Sequence, residues 1–145
     1  MSSNQKTADE RAVSFGAGRA VLLLNPLGRT VPVALVSTTT QRGGQGLVAN
    51  TAYLFDGICE LVTRLADARL REVAMPTLGV GHGRIDPARA LVGLLLAVAE
   101  AARYAPGGLP LRKVTIIIFK RDVAGPPQVD PIVVRRALAL VGAQD

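Results

Sequence analysis

The chain holds 145 residues, 49% of them hydrophobic and 19% charged, with 17 Lys and Arg against 11 Asp and Glu, one Cys, one His and no Trp. That is the size and apolar content of one globular domain, which excludes a disordered chain and argues against two full domains. The longest stretch free of charged residues, Gly43 to Phe55, is too short for a membrane span of about 20 apolar residues, and the polar start Met1 to Arg11 has no apolar signal core, so a cytoplasmic protein is expected.

A lone Cys59 can form no internal disulfide and supplies too few thiolates for a structural zinc site, so it reads as core filler. Nothing in the sequence asks for a metal or another cofactor. The formal charge is +6 and the basic side is almost all Arg, which hints at an anionic ligand because guanidinium groups fork onto phosphate or carboxylate. The Arg residues are scattered, however, and aromatic residues are few, which argues against nucleic acid as the partner.

In chain order, residues 1–11 read as a polar tail and residues 12–145 as one domain. Ala20 to Leu24 and Val31 to Val36 are strand-like apolar runs joined across Asn-Pro-Leu-Gly-Arg-Thr, a turn-forming segment. The polar, Gly-rich stretch Ser37 to Gly46 reads as a loop. Apolar residues at Leu54, Ile58, Leu61, Val62 and Leu65 then take helical spacing with polar residues between them.

Arg71 to Thr77 reads as a strand. Asp86 and Pro87 supply an N-cap and a first-turn proline for a helix running to about Tyr104, apolar on nearly every face and so expected to be covered on two sides. Val114 to Phe119 is a continuous apolar run, the pattern of a central strand buried on both faces. Asp130 and Pro131 repeat the start signal before a short closing helix, Ile132 to Val141. The order β-β-α-β-α-β-α predicts a layered α/β domain.

Gly79-Val80-Gly81-His82-Gly83 lies between a predicted strand and a predicted helix, where ligands of open α/β sheets collect. Alternating glycines leave backbone amides unobstructed, and such amides can cradle phosphate oxygens. The spacing is neither the dinucleotide fingerprint nor a P-loop, and a tight turn that needs glycine only for shape fits it equally well.

Val73 to Ile85, reading Val-Ala-Met-Pro-Thr-Leu-Gly-Val-Gly-His-Gly-Arg-Ile, followed by an Ala/Leu-rich helix and then Val-Thr-Ile-Ile-Ile-Phe, resembles the second half of a macro domain. The likeness is to divergent macro-like modules of bacterial defence and signalling proteins and spans about a third of the chain. It implies a three-layer α/β/α sandwich with a mixed central sheet, and ADP-ribose or a related NAD-derived nucleotide as ligand. Pro76 matches the residue leading into the diphosphate loop, Gly79 to Gly83 match the loop, and Phe119 matches an apolar position near the nucleotide. The family's Gly-Asp-Ile opening is missing, since no acid stands between Arg11 and Asp56.

The other candidates are weighed residue by residue. Hydroxyls at Ser37, Thr38, Thr39 and Thr40 could donate to ribose or phosphate and Gln41 could read a base or ribose edge, or all could satisfy local backbone. Asn50 is either a ribose contact or a helix cap, and the cap is favoured. His82 flanks the loop, and Arg84 could meet phosphate or pair with Asp86. A Ser-His-acid triad would have to run through His82, and no Gly-x-Ser-x-Gly elbow supplies its serine.

The expected function is a binding or sensing module. An ADP-ribosyl hydrolase using Asn50 or His82, and a protein-association module with a vestigial loop, are the alternatives. The apolar helix 87–104 is the expected surface for a homo-oligomer or for attachment within a larger signalling protein.

Overall fold

The computed structural model describes residues 16–42, 46–81, 83–104, 111–120, 122 and 124–142, apart from the side chains of residues 41 and 42. The expected tail 1–11 therefore lies outside the described residues. Among the described residues six strands and three helices follow one another as β1 (Arg19–Leu23), β2 (Val33–Ser37), β3 (Thr39–Arg42), β4 (Gly46–Ala49), α1 (Thr51–Asp67), β5 (Glu72–Pro76), α2 (Pro87–Tyr104), β6 (Lys113–Ile117) and α3 (Pro131–Leu140). The fold is mixed α/β with small sheets.

The stretch expected to be a loop from Ser37 to Gly46 is instead largely a hairpin, with β3 antiparallel to β4 and Thr39 opposite Ala49. Thr39 and Thr40 favour extended backbone through their branched side chains, and Leu47 and Val48 supply the returning strand. Polarity masked the strand because neither face of this hairpin belongs to the main core.

The expected single central sheet is present, among the described residues, as three separate two-stranded ladders. β1 and β2 pair antiparallel, with Val21 opposite Leu35, and β5 and β6 pair parallel, with Met75 opposite Ile116. Residues Asn25 to Thr30 turn between β1 and β2 through a 3-10 segment, Pro26–Gly28.

α1 organises both ladders. Asn50 caps it, its Oδ1 accepting the Tyr53 amide at 2.8 Å. Its other end closes in a Schellman arrangement: the Leu70 amide reaches the Leu65 carbonyl and the Arg69 amide that of Ala66, with Arg69 at φ 57°. Leu54, Ile58, Leu61 and Leu65 lie on one stripe and are almost wholly buried. A side chain at Gly57 would start 2.7 Å from Val36 Cγ1, so this helix glycine is what lets β2 lie close.

Glu60 fastens β1 to the same helix. Its Oε2 accepts the Ala20 amide at 3.0 Å and faces Arg19 Nε at 2.9 Å, while Oε1 takes Arg64 at 3.0 Å. The backbone hydrogen bond from Ala20, joined by the two guanidinium groups, holds the Glu60 carboxyl below its usual range against the opposing effect of burial.

α2 packs on α1, and its Leu94, Ala97 and Ala101 join the core that α1 centres, the small residues allowing the axes to approach. α3 lies against α2, so the expectation that α2 is covered on two sides holds. Leu96 alone among its leucines stays substantially exposed.

Ala34, Val36, Val73, Met75, Val114 and Ile116 face these helices and join the core. Their alternates face away, and Leu23, Val33, Leu35 and Ile117 are 40–56% exposed. This corrects the reading of Val114 to Phe119 as a strand buried on both faces. β6 alternates exposed and half-buried positions because the helices cover one side of its ladder only.

Strand directions fix which ends of the elements come together. Gly18 sits against Tyr53 and Asp56 while Ala20 meets Glu60, so β1 runs in the same sense as α1. β2 is antiparallel to β1, and the short turn after α1 sends β5 back along the helix. The carboxyl ends of β2, β5 and β6 therefore share one end of the molecule with the N-terminus of α1.

Candidate functional site

The loop after β5 is shaped by two of its three glycines. Gly79 has φ 81°, and a Cβ there would stand 2.7 Å from Ile85 Cδ1. At Gly83 a Cβ would stand 2.5 Å from Ala49 Cβ and 2.6 Å from the Gly79 carbonyl oxygen, so the fold admits no larger residue. The loop is closed by the Ile85 amide donating to Gly79 O at 3.1 Å and the Arg84 amide donating to Gly81 O at 3.2 Å. It is tied to the hairpin by the Ala49 amide, which donates to Gly83 O at 3.4 Å.

Gly81 is different. It has no positive φ, it is exposed, and among the described residues beyond its chain neighbours a Cβ built there meets nothing within 4 Å. Packing and backbone conformation thus explain Gly79 and Gly83 and leave Gly81 as open surface. Among the described residues the amides of Val80, Gly81 and Gly83 donate to no backbone carbonyl.

The hairpin brings other candidates to the same place. Thr39 pairs with Ala49, which contacts Gly83, and Asn50 follows directly. Ser37 ends β2 and accepts the Gly18 amide at 2.7 Å. Thr38 is buried at 7% exposure, whereas Ser37, Thr39 and Thr40 are half-buried. Phe119, just beyond β6, is 62% exposed, and its ladder reaches the loop entrance where the Thr77 amide donates to Ile117 O at 3.3 Å. His82 lies outside the described residues, as does the Gln41 side chain.

The charge pattern follows from helix ends. α1 begins beside Ala49 and α2 begins four residues after Gly83, so two positive dipole ends point toward this region. Both carry side-chain caps, since Asn50 holds the Tyr53 amide and Asp86 Oδ1 accepts the Arg89 amide at 3.1 Å. Asn50 is therefore engaged as a cap, as the sequence favoured. Arg84 is exposed at φ 57° and makes no ion pair among the described residues.

Ala49 is the contributor that sequence reasoning missed. Its methyl is what Gly83 packs against, and nothing in the spacing of Gly79 to Gly83 signals it, because the contact depends on the β3–β4 hairpin. Among the described residues no group of His, Cys, Asp and Glu is arranged to hold a metal, and no helix is long and apolar enough to cross a membrane. A groove of about 390 Å³ lies elsewhere, between the facing edges of β2 and β5, with Glu72 the one charged residue in its otherwise largely apolar wall.

No family model matches this sequence, and neither a curated protein nor a solved structure does.

Proposed function

We propose that this chain is a macro-like binding module for ADP-ribose or a related NAD-derived nucleotide, with the diphosphate held by residues Gly79 to Gly83. The observation that carries the reading is the open space at Gly81, in a loop whose other two glycines are required by shape. A diphosphate oxygen can approach a glycine there as it could approach no residue with a side chain, and the neighbouring amides and two helix N-termini favour an anion. Arg84 is the cation at hand, with Thr39 on the hairpin, Asn50 at the start of α1 and Phe119 just past the adjoining ladder as the further candidates.

The three-layer α/β/α arrangement belongs to the same proposal. Among the described residues α1 and α2 supply one covering layer. Recognition rather than hydrolysis is favoured because the Asn50 side chain is held by the Tyr53 amide, which leaves it poorly placed to orient an attacking water. The cytoplasm is the compartment in which such a nucleotide sensor would work.

Isothermal titration at fixed salt tests the reading, with ADP-ribose as ligand and NAD and ADP as comparators. Saturable binding of ADP-ribose at micromolar strength, about −8 kcal/mol, is expected. Heat of dilution alone from all three would overturn it.

A further inference from the structure

The expected association surface was α2, but α2 is covered by α1 and α3. One apolar surface left open among the described residues is the outward face of the strands, where the exposed Arg19, Glu72, Lys113 and Thr115 stand among apolar neighbours. Val31, Leu23, Val33 and Leu35 stand on it at the β1–β2 ladder and Ile117 and Phe119 at β6, all between 40 and 68% exposed. Register makes the first ladder's patch continuous, because Leu23 is opposite Val33 and Val21 opposite Leu35.

We propose that this face is a homodimer interface, on which a second copy stacks its own open face, sheet on sheet. Large apolar side chains present on the order of 150–200 Å² each when bare, so these six at their observed exposures offer roughly 600 Å². Val21, Ala74 and Pro76 extend the patch on the same side of their strands toward the about 800 Å² per partner of a standard stable interface. A patch of roughly 600 Å² stands at the upper end of what a monomer leaves uncovered.

Among the described residues no element of this chain covers the face. A second copy brings a face of matching size and chemistry. Two such faces pack about 10 Å apart, aligned or crossed, with their side chains interleaved. The groove between β2 and β5 gives the opposing side chains a recess to enter.

Sedimentation velocity over a micromolar concentration series tests this without reference to nucleotide binding. The wild-type chain should sediment at twice its 15.2 kDa mass. Leu35→Glu should weaken the dimer at least 100-fold by placing a charge in the interface, while Leu96→Glu, on exposed α2 surface, should leave it intact. A wild-type monomer throughout, or a dimer unaffected by Leu35→Glu, would overturn the proposal. If Leu35→Glu does not fold, methyl relaxation in the wild type with a soluble paramagnetic agent decides instead. Protection of Leu23 and Leu35 relative to the exposed Leu140 supports the interface, and equal enhancement overturns it.

Discussion

A methyl group at position 83 would enter the space held by Ala49 and the Gly79 carbonyl, whereas one at position 81 would meet no described residue beyond its chain neighbours. Gly83→Ala should therefore destabilise the fold by about 1–3 kcal/mol through overpacking, and Gly81→Ala should change it by less than about 0.5 kcal/mol. Urea melts of the two variants compare them directly. The sequence displays three equivalent glycines in alternation, and their different duties become visible only once β4 is placed against the loop. Glu60 makes a second residue-scale prediction. Its folded-state pKa is depressed, so the stability it contributes is present above the ordinary carboxylate value near about pH 4.3 and is lost as pH falls through the lower folded value. Glu60→Gln should cost about 1 kcal/mol at neutral pH, with the difference from wild type vanishing in acid when melts are repeated across pH.

Among the elements, α1 ends on an L-residue in a left-handed conformation. Arg69 has φ 57° in a Schellman turn where glycine is the usual occupant. Arg69→Gly should relieve about 1 kcal/mol of backbone strain, offset in part by the greater freedom of glycine in the unfolded chain, for a net gain of a few tenths to 1 kcal/mol. A rise in the thermal midpoint checks it. The helices were the readable part of this fold: the limits expected for α2 coincide with those observed, because Asp86-Pro87 is a local signal and Asp86 does cap the helix. The β3–β4 hairpin was hidden because its pattern is polar, and the position of β6 was misread because an apolar run does not say which neighbours cover it. Strand exposure depends on where helices from distant sequence settle, and here they settle on one side.

At the scale of the whole molecule, α1 gathers two ladders over one core and sets the carboxyl ends of β2, β5 and β6 beside its own N-terminus. That convergence sets Gly83 against Ala49, whose neighbours are Thr39 across the hairpin and Asn50 along the chain. The turn between β5 and α2 was legible from glycine spacing, but its contact with Ala49 and the open approach at Gly81 required the three-dimensional arrangement. The most direct measurement compares ADP-ribose titrations of the wild type and Gly81→Glu, a substitution with open space to occupy in the folded chain. Micromolar binding by the wild type and at least 100-fold weaker binding by a folded Gly81→Glu, a difference of about 2.7 kcal/mol, is the predicted result. Equal affinity of the two proteins would contradict the placement of the diphosphate on this loop.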